Sequence, residues 1–460
     1  MQTSVEFSSA DVLEEHLFSE AERKAKENIR VFGDRRVLIE GGGYMKIWLE
    51  TQPMGGEMYA KRDTEIAMNN VLLFMENANE KGRLPGSIKC EDGKVIPEFN
   101  KFQGYCFPIH ALNLYYINKD RDYLDFLKRT LAAFDDYLWK YRDSDGDGCL
   151  ETWCVFDTGE DNTLRFGPDA ENYAIGEKAP EGMSILPAAS MDFMSYSYST
   201  RDVLSRIAAI EGNEEVEKLW RTKAEDVKCK MRNYLWDNER SAFFDRDKNH
   251  NVLPTLAHNT LRCMYWGSIG KKDADAFVRK HLLNPEEFWT KMPLPSIAVN
   301  DPLFRNVTEN AWSGQSEALT YQRAIRALEN YGYDYLVPVL GRKLMTAIGM
   351  DGVFVQQYDP FTMKPSLAGE QDSYGPAILS VLEYIAHSHG VYIEQDRIYW
   401  CNAEGSSSDY TQHWGDRSCR IVRSGDKAEC FINDKKLFSL PIHSKAITDL
   451  DGNIIKLIYL

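Results

Sequence analysis

Residues 156–166, FDTGEDNTLRF, carry the pattern from which the fold and chemistry of this chain are inferred. This segment and its continuation supply the carboxylates Asp157, Glu160, Asp161 and Asp169 and one cation, Arg165. Its Gly, Thr and Asn predict a loop. Carboxyl groups crowded into a cleft raise the pKa of at least one of them, which leaves a neutral acid beside an ionised base. Cleavage of a glycosidic bond needs such a pair, although the same composition also fits a solvated acidic loop.

The composition is that of a globular chain with an acidic surface. Of the 460 residues, 43% are hydrophobic and 12% aromatic, and the net charge is −16. This charge argues against a nucleic-acid partner, because phosphate binding needs clustered Lys and Arg. The ten Trp and twenty-four Tyr are core material that also suits stacking against sugar rings.

The sequence gives no sign of export or membrane insertion. The N-terminal segment MQTSVEFSSADVLEEHLF lacks a basic stretch followed by an apolar run, so it does not predict a secretory signal. No apolar run approaches the roughly 18 residues that span a bilayer. Nine cysteines without a C-x-x-C motif predict free thiols. We therefore expect a cytoplasmic protein with no membrane partner, and both a monomer and a homo-oligomer remain open.

Helical periodicity recurs along most of the chain and predicts a mainly α fold. The predicted helices cover residues 9–29, 64–81, 104–117, 120–141, 191–212, 214–235, 258–268, 272–283, 312–331, 333–348 and 373–390. Between the first two, residues 37–52 are β-rich and interrupted by glycines, which predicts a short N-terminal β-hairpin. Paired helices with their distinctive residues in loops predict an (α/α)6 toroid whose loops gather over a central funnel.

The pattern changes near residue 392. The segments VYIEQDRIYW, CRIVRS, AECFIND, KKLFSLP and IIKLIYL are short, β-rich and separated by turn-forming residues. They predict a small C-terminal β module over residues 392–460, packed on a barrel domain of residues 1–391. Its expected role is to cover an apolar surface of the barrel.

Two loop segments offer polar groups for a sugar. The loop GGEMYAKRD contains Tyr59, Arg62 and Asp63, and these are candidates for binding hydroxyl groups. Asp63 stands directly before a predicted helix, so an ordinary helix N-cap is an equal alternative. The later loop SLAGEQDSYG places Glu370 between glycines before the last helix.

The segment ENAWSGQSEA lies between the central acidic loop and Glu370. Its Trp312 is a candidate stacking floor for a sugar ring, or plain core. Gln315 and Glu317 in the same segment are candidates for hydrogen bonds to substrate hydroxyls.

The loop DSDGDGCLE resembles the first half of a calcium site. Asp143, Asp145 and Asp147 stand at alternate positions with Gly148 sixth, a spacing that suits a hard cation. The Glu expected at the twelfth position is replaced by Cys154. A calcium loop and an acidic turn both remain open.

Taken together, these segments resemble the trehalase-like (α/α)6-barrel glycosidases, namely glycoside hydrolase families 37 and 63 and the related mannosylglycerate and glucosylglycerate hydrolases. The resemblance covers roughly residues 40–390. DTGED is similar to the family motif E-S-G-x-D and places Asp161 at the general acid, and AGEQDSYG is similar to G-G-E-Y and places Glu370 at the general base. The segment SMDFMSYSYSTRDVLSRIAAIEG is similar to the helix beginning V-D-L-N and puts Asp192 at the rim of the site.

Weaker similarities keep the same order along the chain, in GGEMYAKRD, GRLPGSI and MPLPSIAVNDP. Two positions depart from the family pattern. Asp157 stands in place of a Glu, and Arg62 stands where the family has Trp, so the substrate floor differs from that of a trehalase.

The resemblance implies an inverting, exo-acting glycoside hydrolase that cleaves a small α-linked glucoside or mannoside without a cofactor. Asp161 would protonate the leaving oxygen, and Glu370 would take a proton from the attacking water. Room for that water requires carboxyl groups about 6.5–9.5 Å apart. Arg165 would steady the substrate or the ionised acid, or form a structural ion pair.

Three other functions fit parts of the pattern. An α-rhamnosidase-type glycosidase would also carry its carboxylates in loops and a small β module. A sugar epimerase on a similar barrel would need paired histidines, whereas His110, His258 and His281 are dispersed. A carbohydrate-binding barrel without chemistry would keep its affinity after amide replacement of Asp161 or Glu370, whereas an enzyme would lose turnover.

Overall fold

The computed structural model describes residues 1–366, 372–403 and 405–460. Twelve α-helices dominate the described part of the chain. They are α1 (Val12–Glu27), α2 (Gln52–Tyr59), α3 (Thr64–Glu76), α4 (Pro108–Asn118), α5 (Arg121–Tyr141), α6 (Met191–Ile210), α7 (Glu214–Tyr234), α8 (Asn259–Trp266), α9 (Lys271–Phe277), α10 (Ala318–Glu329), α11 (Leu336–Ile348) and α12 (Gly375–His389).

The even-numbered helices form a closed inner ring. Going round it, α2 packs against α4, α4 against α6, α6 against α8, α8 against α10, α10 against α12, and α12 against α2. Each of the helices α3, α5, α7, α9 and α11 packs outside the inner helix that precedes it, and α1 packs against α12. The mainly α, (α/α)6 architecture predicted from the sequence is therefore confirmed.

Burial explains why the two rings have different sequences. All eight residues of α8 and fourteen of the fifteen in α12 are buried. In the outer helix α7 only three of 21 residues are buried. A helix enclosed on all sides needs apolar side chains all round or partners for the polar ones that it buries, such as Arg262 of α8, whereas an outer helix needs only one apolar stripe.

Helix α2 completes the inner ring and lies where the sequence predicts a loop, because glycines disfavour helix interiors. Its two glycines permit close packing of neighbouring helices. A Cβ on Gly55 would lie 2.8 Å from Leu379 Cδ1, and a Cβ on Gly56 would lie 2.7 Å from Asn70 Cβ. Tertiary packing thus outweighs the low helix propensity of this segment.

The strands are short in the barrel and longer near the C-terminus. They are β1 (Thr3–Ser9), β2 (Ile29–Phe32), β3 (Arg35–Leu38), β4 (Ile47–Trp48), β5 (Ser87–Glu91), β6 (Lys94–Glu98), β7 (Glu151–Thr152), β8 (Ala188–Ala189), β9 (Trp236–Asp237), β10 (Ala242–Phe243), β11 (Ser316–Glu317), β12 (Gln357–Tyr358), β13 (Pro365–Ser366), β14 (Val391–Glu394), β15 (Arg397–Asn402), β16 (Ser408–Trp414), β17 (Arg417–Ser424), β18 (Lys427–Ile432), β19 (Lys435–Pro441), β20 (Ser444–Thr448) and β21 (Ile454–Tyr459). The N-terminal hairpin is formed by β2 and β3, earlier than the predicted 37–52, and β4 pairs with β5 instead.

The C-terminal strands form the predicted β module. One sheet has the order β14-β15-β20-β21, and the other has the order β1-β16-β17-β18-β19. Strand β1 comes from the N-terminus and pairs antiparallel with β16, from Thr3 opposite Trp414 to Ser9 opposite Ser408. The module packs against α12 through β14, β15 and β16. The division into residues 1–391 and 392–460 stays a prediction, and the first strand belongs structurally with the module.

Across the described ranges, none of the helices combines the length and the apolar character that crossing a membrane requires.

Candidate active site

Residues that precede the inner helices converge on one pocket at the N-terminal ends of those helices. Thr51 precedes α2, Gln103 lies before α4, Asp161 before α6, Trp312 before α10, and Tyr374 before α12. The described lining encloses a small pocket with a cavity volume of about 40 Å³. Its described lining consists of Glu40, Tyr44, Trp48, Glu50, Thr51, Gln103, Gly159, Asp161, Trp312, Leu319, Gln356 and Tyr374.

Asp161 has a fixed carboxyl group in this pocket. Gln103 donates its side-chain amide to Oδ1 across 2.8 Å, and Asn310 donates to Oδ2 across 3.1 Å. Desolvation raises the pKa of Asp161, and the two amides oppose that rise only in part. The group therefore keeps its proton to a higher pH than an exposed Asp does, as a general acid must.

Two polar side chains hold Asn310 in place. Its carbonyl accepts from the Gln356 amide across 3.0 Å, and its own amide also donates to the Tyr44 hydroxyl across 3.2 Å. Tyr44 in turn donates to the Gln356 carbonyl across 2.8 Å. This closed network orients the amide that faces Asp161.

Glu50 is a second carboxyl group of the pocket and is almost fully buried. Arg323 forms an ion pair with its Oε1, and Arg262 approaches the same oxygen at 3.6 Å. Burial raises the pKa of Glu50 to about 7, although both arginines act to lower it. The side chain is therefore near its midpoint of protonation at neutral pH.

Two glycines enclose Glu50. Gly104 and Gly159 have φ angles of +74° and +75°, in the left-handed region that other residues rarely adopt. A Cβ on Gly159 would lie 2.5 Å from Glu50 Cδ, and one on Gly104 would lie 2.7 Å from the same atom. A larger residue in place of Gly159 would clash with the Glu50 carboxylate, so the DTGED segment needs glycine at this position.

Glu40, in the pocket lining, and Glu317, outside the described lining, are two more buried carboxyl groups. Burial raises the pKa of Glu40 well above its usual value, and hydrogen bonding to Tyr374 opposes that rise only in part. Burial and the neighbouring Asp161 raise the pKa of Glu317 well above its usual value too. Perturbed acids concentrated in one cleft are typical of catalytic sites.

Aromatic rings form part of the wall. Trp312 is 2% exposed, and its ring centroid lies 5.6 Å from that of His258. Trp48 has a buried indole N–H with no partner among the described residues. The Lys101 ammonium lies 5.0 Å from the centroid of the Trp48 ring and 5.0 Å from that of Tyr173. These groups offer a ring floor and a donor to a sugar.

Arg165 lies in a buried ion network next to the pocket and is not among the described pocket-lining residues. Its Nη2 contacts Glu160 Oε2 at 2.6 Å and Asp192 Oδ2 at 3.4 Å, and its Nη1 pairs with Asp245. Arg262 contacts Asp192 Oδ1 at 3.2 Å. The structure thus places Arg165 in ion pairs, and it places Asp192 in this network instead of at the rim.

Asp157 anchors the loop that carries Asp161. Its Oδ2 pairs with Arg142 Nη1 at 2.6 Å, and both side chains are completely buried. It also accepts from the backbone N–H groups of Phe102 at 3.0 Å and Trp153 at 2.9 Å. Asp157 therefore contributes to the site by fixing backbone.

The other candidate residues of the first loop lie away from the pocket. Asp63 caps α3 by accepting from Glu65 N–H at 3.0 Å, as the N-cap alternative predicts. Arg62 pairs with Glu22 at 2.7 Å, and Tyr59 is buried at the end of α2. The eight residues of α2 rise about 12 Å and separate them from Glu50 at its other end.

Gln315 supports the wall. Its amide donates to Asn306 across 2.7 Å, and its carbonyl accepts from Gln357 across 3.0 Å. Glu370, the predicted general base, lies outside the described residues. On the described side of that gap, Asp372 pairs with Lys24 at 2.6 Å, and Tyr374 lines the pocket.

In the DSDGDG loop the acidic side chains accept hydrogen bonds from the backbone of the same loop. Asp143 accepts from Gly148 N–H at 3.2 Å, Asp145 from Asp147 N–H at 3.0 Å, and Asp147 from Cys149 N–H at 2.7 Å. Within the described ranges, the ligand atoms that lie within 4.8 Å of one another belong to Asp145, Asp147 and His250. Asp143 is not in that group, so the calcium site stays a prediction.

A larger cavity opens at the other end of the inner helices, between the barrel and the β module. Its buried acids are neutralised by cations, since Glu383 pairs with Lys61 at 2.7 Å and Glu329 pairs with Lys445 at 2.6 Å. Burial acts to raise the pKa of Glu383, but Lys61 and His387 outweigh it and lower the pKa to about 2. These charges stabilise the structure and do not resemble an acid and base pair.

Several residues of the pocket carry no signal in the sequence. They are Glu40, Tyr44, Trp48, Glu50, Gln103, Asn310 and Gln356. Glu40 and Glu50 stand within the predicted hairpin, and no local pattern there indicates that an acidic residue belongs to a functional site. The three consecutive glycines after Glu40 are the one indication of an unusual backbone at that point.

Comparison with known proteins identifies relatives of this arrangement. A family model described as a mannosylglycerate hydrolase MGH1-like glycoside hydrolase domain matches residues 58–374. The GH63 mannosylglycerate hydrolase from Thermus thermophilus, crystallised with glucose, is 18% identical with a TM-score of 0.64 over 80% of this chain and 99% of its own.

Two further solved structures share the fold. The neutral trehalase of Saccharomyces cerevisiae is 15% identical, with a TM-score of 0.56 over 80% of each chain. The GH78 rhamnosidase of Bacillus sp. GL1 is 11% identical, with a TM-score of 0.63 over 93% of this chain and 41% of its own.

Proposed function

We propose that this chain is an inverting, exo-acting hydrolase. The premise is that it belongs to the family of mannosylglycerate hydrolase MGH1-like glycoside hydrolase domains and is a glycosidase. Its substrate would be a small α-linked glucoside or mannoside. Asp161 would act as the general acid, and water would be the nucleophile.

The observation that carries this proposal is the environment of Asp161. Its carboxyl group faces the pocket, is fixed by amide hydrogen bonds to both oxygens, and has a raised pKa. A general acid for glycoside hydrolysis needs this combination, because it must hold a proton at working pH and present it to one oxygen of the substrate.

The general base is proposed to be Glu370. It stands four residues before the pocket-lining Tyr374 in the chain, outside the described residues. Its assignment rests on the similarity of AGEQDSYG to the family segment that bears the base. The position next to α12 supports an approach to the pocket, since α12 begins at Gly375.

The size of the pocket supports exo action. Its cavity volume is about 40 Å³, which leaves no space for a polysaccharide chain to run through. Trp48 and Trp312 would provide apolar faces, and Glu40 and Glu50 would bind hydroxyl groups.

The position and charge of Lys101 support a substrate whose leaving group carries a negative charge. Its charge acts on Asp161, and it lies among aromatic rings just outside the described pocket lining. The Thermus relative was crystallised with Tris and D-glycerate. We therefore include glycerate among the leaving groups to be tested.

We also propose a cytoplasmic location and a reaction without a cofactor. All nine cysteines are free thiols, which supports a reducing compartment. An acid and a base acting on water are sufficient for this reaction.

The test is a substrate screen followed by NMR of the anomer first released. Trehalose, kojibiose, glucosylglycerate, mannosylglycerate and aryl α-glycosides would be compared. Hydrolysis with initial release of the β-anomer is expected. Release of the α-anomer would overturn inversion, and formation of an epimer without hydrolysis would overturn the glycosidase mechanism.

A further inference from the structure

A second cavity lies at the C-terminal ends of α8 and α10, whereas the catalytic pocket lies at the N-terminal ends of the inner helices. Its volume is about 320 Å³, within the range of small-molecule sites. It continues into the larger cavity under the β module, because Arg206, Lys271 and Arg326 line both.

The length of α8 explains why this cavity exists. Helix α8 has eight residues and rises about 12 Å, whereas its neighbour α6 has 20 residues and rises about 30 Å. The inner ring therefore lacks a helical wall beyond the end of α8. Trp266, the last residue of α8, and Gly267, which follows it, both line the cavity.

The wall of the cavity is positively charged, although the chain as a whole has a net charge of −16. The charged residues of its described lining are four cations and one acid, namely Arg206, Lys228, Lys271, Arg326 and Asp202. Two of the cations are exposed and paired, since Arg206 contacts Asp202 at 2.8 Å and Lys271 contacts Asp275 at 2.5 Å. The other two cations lie deeper.

Lys228 and Arg326 converge on the end of α8. The Lys228 ammonium donates to the Gly267 carbonyl across 3.0 Å. The Asn330 amide donates to the Met264 carbonyl, in the last turn of α8, across 3.2 Å. Arg326 precedes Asn330 by one turn and lies on the same face of α10, so it also faces the end of α8.

Both deeper cations have hydrogen-bond donors to spare. Among the described residues, the Arg326 guanidinium has one acceptor, Glu394 Oε1 at 3.4 Å, for its five N–H groups. Lys228 forms no ion pair with a described residue, and burial lowers its pKa. Cations that are partly desolvated in this way cost free energy until an anion or water satisfies them.

We propose that this cavity is a second ligand site, and that it binds a small sugar bearing a phosphate monoester. Arg326 and Lys228 would bind the phosphate group. Aromatic side chains in the wall would contact the sugar ring, and these are Tyr198, Tyr265, Trp266 and Tyr331.

The charge of the cavity favours a phosphate over a carboxylate. A phosphate monoester carries a charge near −2 and three acceptor oxygens, which match two cations with unused donors. A carboxylate carries one charge and would leave one of these cations uncompensated. Arginine also binds phosphate with two parallel hydrogen bonds. The cavity volume exceeds what a phosphate group needs, so the ligand has room for a ring.

The catalytic pocket does not suit the same ligand. Its described lining contains Glu40, Glu50 and Asp161 and includes no Lys, Arg or His. A pocket walled by acids repels a dianion, whereas the cavity at the end of α8 attracts one. The two sites are therefore separated by the sign of their charge.

The experiment is calorimetric titration of the full chain at neutral pH with glucose 6-phosphate, glucose and inorganic phosphate. Glucose 6-phosphate is expected to bind at least about tenfold more tightly than either of the other two, because it alone contacts both the cations and the aromatic wall. Equal affinities for glucose 6-phosphate and inorganic phosphate would overturn the choice of a sugar phosphate.

The test variants are Arg326→Gln and Lys228→Gln. Each should weaken the binding of glucose 6-phosphate by about tenfold or more, because each removes a charge-assisted hydrogen bond. The control is Lys218→Gln, which removes an exposed lysine of α7, the helix that also carries Lys228, from outside the cavity lining. It should leave the affinity unchanged. Lys228 is only half-buried, so its variant tests the site even where Arg326→Gln fails to fold.

Asp161→Asn separates the two sites and should not change the affinity for glucose 6-phosphate. If this variant changes the affinity while Arg326→Gln and Lys228→Gln do not, the ligand lies in the catalytic pocket and the inference is overturned. The absence of binding by both glucose 6-phosphate and inorganic phosphate would overturn it as well. Neither result bears on the proposed glycosidase, which the substrate screen tests independently.

Discussion

Gly159 lies so close to Glu50 that a methyl group on its Cα would stand 2.5 Å from Glu50 Cδ. The loop that carries Asp161 is thereby held against the loop that enters α2. The contact joins two parts of the site that are far apart in the chain. It also fixes Glu50 between that loop and Arg323.

Replacing Gly159 with alanine should therefore reduce kcat/KM by roughly tenfold or more. The new methyl group would displace Glu50, and the positive φ would lower stability by a further ~1–2 kcal/mol. Gly146→Ala is the matched control, because Gly146 has φ +74° with nothing within 4 Å. It should lower stability similarly and leave kcat/KM unchanged, and equal activity loss in both variants would contradict the role of the contact.

Asp161→Asn should lower kcat by about 10²–10⁴-fold, the usual contribution of a general acid, while the melting temperature changes little. Aryl glycosides with good leaving groups should be affected least, because they need little protonation. The control is Asp169→Asn, an exposed carboxylate from the same stretch of sequence. Comparable losses for both would show that Asp161 is not the acid.

Gln103→Ala should shift the alkaline limb of the pH–rate profile to higher pH. The Gln103 amide donates to Asp161 and opposes the rise in its pKa that desolvation causes, so its removal lets that pKa rise further. The loss of one hydrogen bond to a charged group should also lower kcat/KM by about tenfold. A limb that moves to lower pH would contradict this arrangement.

Lys61→Met should lower the free energy of unfolding by about 3–5 kcal/mol, because it leaves Glu383 buried without its cation. Burial raises the pKa of Glu383, but Lys61 and His387 lower it to about 2, so the pair stabilises the fold above pH 4.5. That contribution is lost as pH falls from 4.5 towards 2, and the difference between variant and parent in urea unfolding should shrink over this range.

The control for this pair is Lys81→Met, which removes a partner of the surface ion pair with Glu177. Exposed pairs contribute less than about 1 kcal/mol, so its unfolding curve should be nearly unchanged. Equal destabilisation by both variants would show that burial is not the cause.

Glu317→Gln should stabilise the protein at pH 8. The pKa of Glu317 is raised by burial and by Asp161, so the folded state binds its proton more tightly than the unfolded state does. This favours folding below pH 4.5 and is lost as pH rises through the folded pKa. The gain in melting temperature should therefore be positive at pH 8 and disappear near pH 4.5, and a constant difference would contradict it.

The sequence by itself determined the mainly α barrel, the C-terminal β module and the family. Helical periodicity is a local property, because the apolar face of each helix is written in its own residues. This periodicity indicated eleven of the twelve helices in the described part of the chain. The motif DTGED likewise predicted Asp161 as the general acid, because its residues are adjacent in the chain.

Only the tertiary structure decided which other residues join Asp161. Glu40 and Glu50 come from the segment before α2 and Asn310 comes from the loop before α10, and no spacing in the chain predicts that they meet. The structure also separated Arg62 and Asp63 from the pocket, because α2 forms where two glycines predict a loop. Close packing of Gly55 and Gly56 stabilises that helix, and packing between distant segments cannot be inferred from a local pattern.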